Sequence, residues 1–185
     1  MRAVIGSPDS RGFALLEVLI TAGIVVAIAA GASQIVAIAI RASYGARVRT
    51  MATMLAAAKM EQLRALTWTH TTTGSPAISV SLSDVSTDLS SDPATDEGPG
   101  LLPSPGGTLD ASVPYYVDYL DGEGHWLGRE TAPPGSAVYV RRWAVEPLAS
   151  DPGNILVFQV VVTTRATGGA ISTDAARLVT IEARK

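Results

Sequence analysis

Residues 11–40 read RGFALLEVLITAGIVVAIAAGASQIVAIAI and set the architecture of the whole chain. The 28 residues from Phe13 to Ile40 contain one charged side chain, that of Glu17. A helix of this length rises about 42 Å, whereas the hydrocarbon core of a bilayer is about 30 Å thick. The stretch therefore predicts a transmembrane helix.

Glu17 lies near the start of this apolar run. A carboxylate inside a membrane segment is rare, because inserting it at the bilayer centre costs about 2.5–3.5 kcal/mol, and less near an interface. The chain has no basic residue at the same depth, but cleavage between Gly12 and Phe13 would create an ammonium group there. Two interpretations follow: Glu17 pairs with such an ammonium group, or it is a tolerated interfacial acid on a signal anchor.

The segment GFALLEVLI (residues 12–20), preceded by a short polar leader that ends in Arg11, resembles the prepilin N-terminal motif. This motif belongs to type IV pilins and to the pseudopilins of type II secretion systems. The resemblance implies that a membrane prepilin peptidase cuts after Gly12 and methylates the new N-terminal amine of Phe13. It also implies that Glu17 pairs with the N-terminus of a neighbouring subunit.

The chain has 185 residues, of which 14 are basic and 17 acidic, and it has no cysteine. Disulfide bonds and cysteine-based metal sites or nucleophiles are therefore excluded. The formal net charge of −3 lacks the basic footprint of a general nucleic-acid binder.

The expected leader peptide, residues 1–12, lacks the apolar stretch that precedes the cleavage site in an ordinary secretory signal. Basic residues also follow the span, at Arg41, Arg47 and Arg49, so the positive-inside rule does not favour a cytoplasmic N-terminus. The prepilin motif implies the opposite orientation, and we take the motif as the guide.

Helical periodicity continues beyond Ile40. One helix is expected over residues 13–66, with a transmembrane half over 13–40 and an amphipathic half that follows it. Apolar residues at helical spacing form the expected buried stripe of the second half: Val48, Met51, Ala52, Leu55, Ala58 and Leu66. The charged residues Arg49, Glu61 and Arg64 are expected on the opposite face.

Residues 67–113 are rich in Ser, Thr, Pro, Gly and Asp and contain no Lys or Arg. Prolines at 93, 99, 103 and 105 argue against a long helix or a central strand, so a loop is expected apart from a short strand at 78–82. Asp84, Asp88, Asp92, Asp96 and Glu97 make the segment acidic. Their spacing differs from that of an EF-hand loop, which favours a solvated acidic loop over a calcium site.

From Pro114 onward the apolar period becomes two, which is typical of strands. Strands are predicted at 115–120, 125–128, 137–147, 155–164 and 177–183. Short turns between consecutive strands indicate an antiparallel meander over residues 114–185. The predicted fold class is therefore α+β, with a long N-terminal helix packed on a C-terminal antiparallel sheet, and this is also the pilin architecture that the resemblance implies.

No combination of residues predicts an enzyme, a metal site or a cofactor. His70 and His125 are expected in loop or turn positions, and neither has the partner of a helical zinc site. Asp121, Glu123 and His125 cluster in a predicted hairpin turn and offer metal ligands, but a turn that needs Asp and Gly for its backbone is favoured.

One set of aromatic and basic residues suggests a surface that stacks on bases. The set is Tyr115, Tyr116, Tyr119 and Trp126 with Arg129, Arg141 and Arg142. Alternating aromatics in strands more often pack in a core, so nucleic-acid binding is not favoured.

The resemblance to the prepilin motif, with which the predicted helix and sheet agree, implies a minor pilin or a pseudopilin. It would cross the inner (cytoplasmic) membrane once with a periplasmic soluble domain, and later enter a pilus or pseudopilus. The expected partners are prepilin peptidase and other pilin or pseudopilin subunits. Residues 139–162, with YVRRWAVEPL and LVFQVVV, resemble the type IV pilus modification proteins (the PilV-like group) among minor pilins. The alternative is a signal-anchored periplasmic binding or structural protein that does not assemble.

Overall fold

A computed structural model describes residues 11–73, 78–165 and 171–185, with side chains described for 15–70, 82–165 and 175–185. The expected leader therefore lies largely outside the described residues. The elements are α1 (Arg11–Arg64), β1 (His70–Thr73), β2 (Ile78–Ser81), β3 (Val117–Leu120), β4 (Trp126–Gly128), β5 (Tyr139–Pro147), β6 (Ile155–Arg165) and β7 (Ile171–Ala183). The chain forms two compact units, Met1–Ala46 and Arg47–Lys185.

Helix α1 has 54 residues. It begins two residues before the predicted Phe13 and ends two residues before the predicted Leu66. No proline interrupts it, and its first half consists mainly of apolar residues that are compatible with a helix in lipid. By length and composition, α1 is able to cross a membrane. At its end the Ala65 amide still donates to the Glu61 carbonyl, at 2.9 Å, before the chain leaves the helical path.

Five strands form one antiparallel sheet in the order β4-β3-β5-β6-β7. The predicted simple meander is therefore wrong at one step, because β4 returns on the outer side of β3 and leaves β3 beside β5. The burial of the strands explains this order. All four residues of β3 are buried, as suits a strand with neighbours on both sides, whereas the three residues of β4 are partly exposed, as suits an edge.

Several strand boundaries differ from the predicted ones. Strand β3 begins at Val117 and not at Tyr115, because Tyr115 has a left-handed backbone conformation with φ 69° that interrupts an extended chain. Strand β7 begins at Ile171, six residues before the predicted Arg177.

The expectation of loop around His70 is also wrong. His70–Thr73 forms β1, which pairs with β2 in an antiparallel hairpin. Three consecutive threonines suit an extended chain because their branched Cβ atoms favour strands. The His70 amide also donates to the Lys185 carbonyl at 2.7 Å, which ties this hairpin to the end of the chain.

The second half of α1 packs on the sheet. Its buried residues are Ala52, Leu55, Ala56, Lys59, Met60 and Leu63. Most of them share one apolar core with sheet residues such as Trp143 and Phe158. The predicted stripe is wrong at Ala58, which is exposed, while Lys59 beside it is buried. The opposite face of the sheet carries a smaller cluster around Tyr119 and Val140.

Candidate functional sites

Gly12 and Phe13 lie in the first turn of α1, so the expected cleavage bond is part of the helical backbone. Their side-chain surroundings lie outside the described residues. Downstream, the large apolar side chains of the first helical half are exposed, from 52% for Ile20 to 71% for Leu15. Such a surface is unusual for a helix in water, and lipid or other apolar helices would cover it.

Glu17 is exposed on this apolar surface. It lines one concave patch of the helix together with Leu16, Ile20 and Thr21. Thr21 donates its hydroxyl hydrogen to the backbone carbonyl of Glu17, at 2.8 Å, and not to the Glu17 carboxylate. Among the described side chains, no cation forms an ion pair with Glu17.

A second charged site is buried between α1 and the sheet, and we call Lys59, Asp118 and Arg141 the buried charge cluster. Lys59 Nζ lies 3.0 Å from Asp118 Oδ2. Arg141 donates to the same carboxylate through Nε, at 2.9 Å, and through Nη2, at 2.7 Å. One carboxylate therefore serves two cations, one on the helix and one on β5.

Neutral groups complete the cluster. Lys59 Nζ donates to the Leu89 carbonyl at 2.6 Å and lies 4.3 Å from the ring centre of Trp143. Arg141 Nη1 donates to the Leu55 carbonyl of α1 at 3.0 Å. Because these partners come from α1, the 67–113 segment, β3 and β5, the cluster joins four parts of the domain.

Burial lowers the pKa of Lys59 to about 8, although the Asp118 carboxylate acts to raise it. Lys59 and Asp118 are each 1% exposed, so neither group can meet a solute. The cluster is therefore suited to positioning elements of the fold and not to reacting with a substrate.

Sequence reasoning missed this cluster, although a signal was present. Lys59 follows Leu55 by four residues, and Asp118 alternates with the core residues Tyr116 and Leu120. Each charge thus occupies a position that the local period assigns to the core. Two opposite charges at core positions indicate a buried pair.

The predicted turn group of Asp121, Glu123 and His125 comes together, with one ligand atom of each residue within 4.8 Å of the others. Asp121 Oδ1 accepts hydrogen bonds from the Glu123 amide, at 2.9 Å, and from the His125 amide, at 2.8 Å. Although desolvation acts to raise the pKa of the Asp121 carboxyl, the bonds from His125 and Glu123 bring it below its usual value. These bonds are those of an Asp-centred turn, and they account for the clustering without a ligand.

The acidic segment is only partly solvated, which corrects the expectation. Asp92, Asp96 and Glu97 are exposed, but Asp88 is fully buried. Asp88 forms an ion pair with Arg129 and accepts a hydrogen bond from the Ser90 amide at 2.8 Å. A buried carboxylate requires such partners, and the strand region supplies the arginine.

The aromatic and basic set does not form a stacking surface. Tyr116, Tyr119, Arg141 and Arg142 are buried. Tyr115 remains exposed, with the Arg129 guanidinium 5.8 Å from its ring centre. Trp126 is partly buried in β4. One exposed and one partly buried ring give less area for stacking than the predicted set of four.

Comparison of the chain with protein-family models, with curated protein sequences and with solved structures gave no match. The long apolar helix and the five-stranded antiparallel sheet define an α+β chain with one helix able to cross a membrane.

Proposed function

We propose that this chain is a subunit of a type IV pilus-like filament, a minor pilin or a pseudopilin. In this proposal prepilin peptidase cuts after Gly12 and methylates Phe13. The first half of α1 holds the subunit in the inner membrane and later packs against other subunits in the filament core. The chain acts as a structural subunit and not as an enzyme.

The observation that carries the proposal is the position of Glu17. It is the one acid in an exposed apolar helix surface, five residues after Gly12, and no described side chain neutralises it. An unpaired carboxylate in lipid or in a dry helix bundle is costly. Cleavage after Gly12 creates an ammonium group at the adjacent membrane face, and a neighbouring subunit brings a second such group.

The compact unit Arg47–Lys185, which we call the sheet unit, supports the same proposal in a more general way. The part of α1 in this unit is covered by the sheet through one continuous core, so the core of the unit does not depend on the apolar segment before Ala46. A subunit with this division can leave the membrane while its folded domain is retained. We place that domain in the periplasm on the strength of the prepilin motif, against the weak opposing signal of Arg41, Arg47 and Arg49.

The mature N-terminus provides the test. Mass spectrometry of the chain isolated from cells with an active prepilin peptidase is expected to find a product that begins at N-methylated Phe13. Gly12→Val is expected to block processing without changing membrane insertion, because the apolar span is untouched. Gly23→Val is the matched control, since a Cβ at Gly23 meets nothing within 4 Å.

An intact leader in the parent chain would contradict the proposal. It would favour the alternative of a signal-anchored periplasmic protein that does not assemble. Processing of Gly12→Val as efficient as that of the parent would show that cleavage takes place at another bond.

A further inference from the structure

Three arginines of α1 follow its apolar run. Arg41, Arg47 and Arg49 are exposed, and none of them forms an ion pair among the described side chains. No acidic residue occurs between Glu17 and Glu61, so no carboxylate stands three or four residues away to pair with them. The described part of the chain therefore leaves these three charges without a counter-charge.

The three arginines point in different directions around α1. At about 100° per residue, Arg47 and Arg49 are rotated by about 240° and about 80° from Arg41, so the charges surround the helix axis. A protein partner that docks from one side would meet only part of such a set. A surface through which the helix passes would meet all three charges, and the headgroup layer of a membrane is such a surface.

Tyr44 and the geometry of the helix suit the same surface. Tyr44 lies between the arginines and is 67% exposed, and tyrosine is enriched where membranes meet water. Each Cα–Cβ bond of a helix tilts toward the N-terminus, so the long arginine side chains can reach back toward the apolar run. The axis rises about 12 Å from Arg41 to Arg49, close to the Debye length of about 8–10 Å at physiological salt. All three charges thus lie within range of a charged surface at the end of the apolar run.

We propose that Arg41, Tyr44, Arg47 and Arg49, which we call the arginine collar, bind the anionic headgroups of phospholipids where α1 leaves the membrane. Anionic lipids attract basic residues that lie next to a transmembrane helix. The inference rests on one part of the proposed function, the placement of the first half of α1 in a membrane, and adds the class of lipid. It does not depend on leader cleavage, on filament assembly or on which side of the membrane the sheet unit occupies.

The test uses the full chain in phosphatidylcholine vesicles that contain a trace of spin-labelled phosphatidylglycerol or spin-labelled phosphatidylcholine. Electron paramagnetic resonance measures the fraction of each labelled lipid whose motion is restricted by contact with the protein. At low salt a preference of about fivefold for phosphatidylglycerol is expected, which is the effect of one arginine acting at full strength next to an anionic surface. The preference should decrease as the salt concentration rises, because salt screens the exposed charges.

Two variants show whether the collar is responsible. The combined substitutions Arg41→Gln, Arg47→Gln and Arg49→Gln are expected to lower the preference to about twofold or less. Arg64→Gln is the control, because it removes an exposed charge from the same helix about 36 Å beyond the apolar run, and it should keep the preference of the parent. No preference in the parent, an unchanged preference in the triple variant, or a loss in Arg64→Gln as large as that in the triple variant would overturn the proposal.

Extraction of the same vesicles at alkaline pH separates this proposal from the proposed function. A parent chain that is extracted from the vesicles would contradict the membrane placement of α1, and the lipid proposal would fail with it. A parent chain that resists extraction but shows no preference for phosphatidylglycerol would overturn the lipid proposal alone. The expected result is a chain that resists extraction in the parent and in both variants, with a lipid preference that only the triple variant loses.

Discussion

The two halves of α1 each place one charge on an apolar surface, and the two charges have opposite surroundings. Glu17 in the first half is exposed and has no ion-pair partner among the described side chains. Lys59 in the second half is 1% exposed and is held by Asp118, the Leu89 carbonyl and the Trp143 ring. The sheet thus supplies a counter-charge for Lys59 in the second half of the helix, whereas no described side chain supplies one for Glu17 in the first half.

This difference indicates two different kinds of burial. The surface around Lys59 is covered by the same polypeptide, and its ion-pair partner Asp118 lies in the same chain. The surface around Glu17 is not covered by the described residues. A carboxylate on such a surface is costly in lipid, which supports the proposed pairing with a neighbouring subunit.

The largest expected effect comes from truncating α1, first by its apolar half alone and then by the whole helix. A chain that starts at Arg47 is expected to be soluble and folded, because it keeps the whole core of the sheet unit. A chain that starts at Thr67 loses three large buried apolar side chains, those of Leu55, Met60 and Leu63, worth about 6 kcal/mol of burial or more. Since a domain is stable by only about 5–15 kcal/mol, the shorter chain is expected to be unfolded or aggregated.

Circular dichroism and size-exclusion chromatography of the two truncated chains check this expectation. If the chain from Thr67 were monomeric and folded while the chain from Arg47 aggregated, the packing of helix on sheet would be refuted.

The second effect concerns the buried charge cluster. Asp118→Asn leaves the buried cations Lys59 and Arg141 without a carboxylate, and the free energy of unfolding is expected to fall by about 3–5 kcal/mol. Asp96→Asn is the matched control, because Asp96 is exposed, and it is expected to change stability by less than about 0.5 kcal/mol. Urea unfolding of the full chain in micelles measures both, and equal stabilities would mean that the cluster contributes nothing.

The truncations and the Asp118 variant test features that the sequence predicts to different degrees. The apolar half of α1 could be predicted because a lipid-facing surface needs a continuous apolar run, which local composition reveals. Most strands of the sheet could be predicted from their period of two. The order of the strands was not, because β4 has only three residues and its sequence does not decide on which side of β3 it returns.

The buried charge cluster was hidden for a different reason. From Leu55, helical spacing points equally to Ala58 and Lys59, and polarity favours Ala58 for the core. Lys59 takes the place because Asp118, distant in sequence, stabilises its ammonium group. The local periods place each charge at a core position, but they do not show which distant residue pairs with it, whereas the motif at Gly12, Phe13 and Glu17 is contiguous.

A third effect, of intermediate size, depends on pH. The folded-state pKa of Lys59 is about 8, below its ordinary value of 10.5, so between these values the unfolded chain binds more protons than the folded chain. The free energy of unfolding therefore increases as pH rises from about 8 to 10.5. Below about pH 8 the chain carries the full cost of burying a charged Lys59. Relative to Lys59→Met, the parent is expected to gain about 2–3 kcal/mol from pH 7 to pH 10.

Direct titration provides a second measurement. Lysine-labelled NMR reports on the Lys59 side chain directly. The Lys59 signal is expected to titrate near pH 8, below the ordinary lysine pKa of 10.5. Titration of Lys59 at the ordinary value would show that its ammonium group is not desolvated in solution.

The smallest effect on the isolated chain is expected at Glu17, and it tests the other side of the comparison. In a single membrane helix, Glu17→Leu removes a carboxylate that is unfavourable in lipid, so insertion should be at least as efficient as in the parent. Leader cleavage should also continue, because Gly12 and Phe13 are unchanged. The folded sheet unit should keep its stability, since it begins at Arg47.

In an assembly the same substitution acts in the opposite direction. If Glu17 pairs with the N-terminal ammonium group of a neighbour, its removal leaves that cation unpaired in a dry helix bundle, at a cost of several kcal/mol, about 3–5 for a buried pair. Incorporation into filaments and co-purification with other pilin-like subunits are therefore expected to fall steeply. Glu61→Leu is the matched control, because it removes an exposed acid from the second half of the same helix. Equal incorporation of Glu17→Leu and the parent would mean that Glu17 is only a tolerated interfacial acid, and that only the charge in the second half of α1, Lys59, depends on an ion-pair partner.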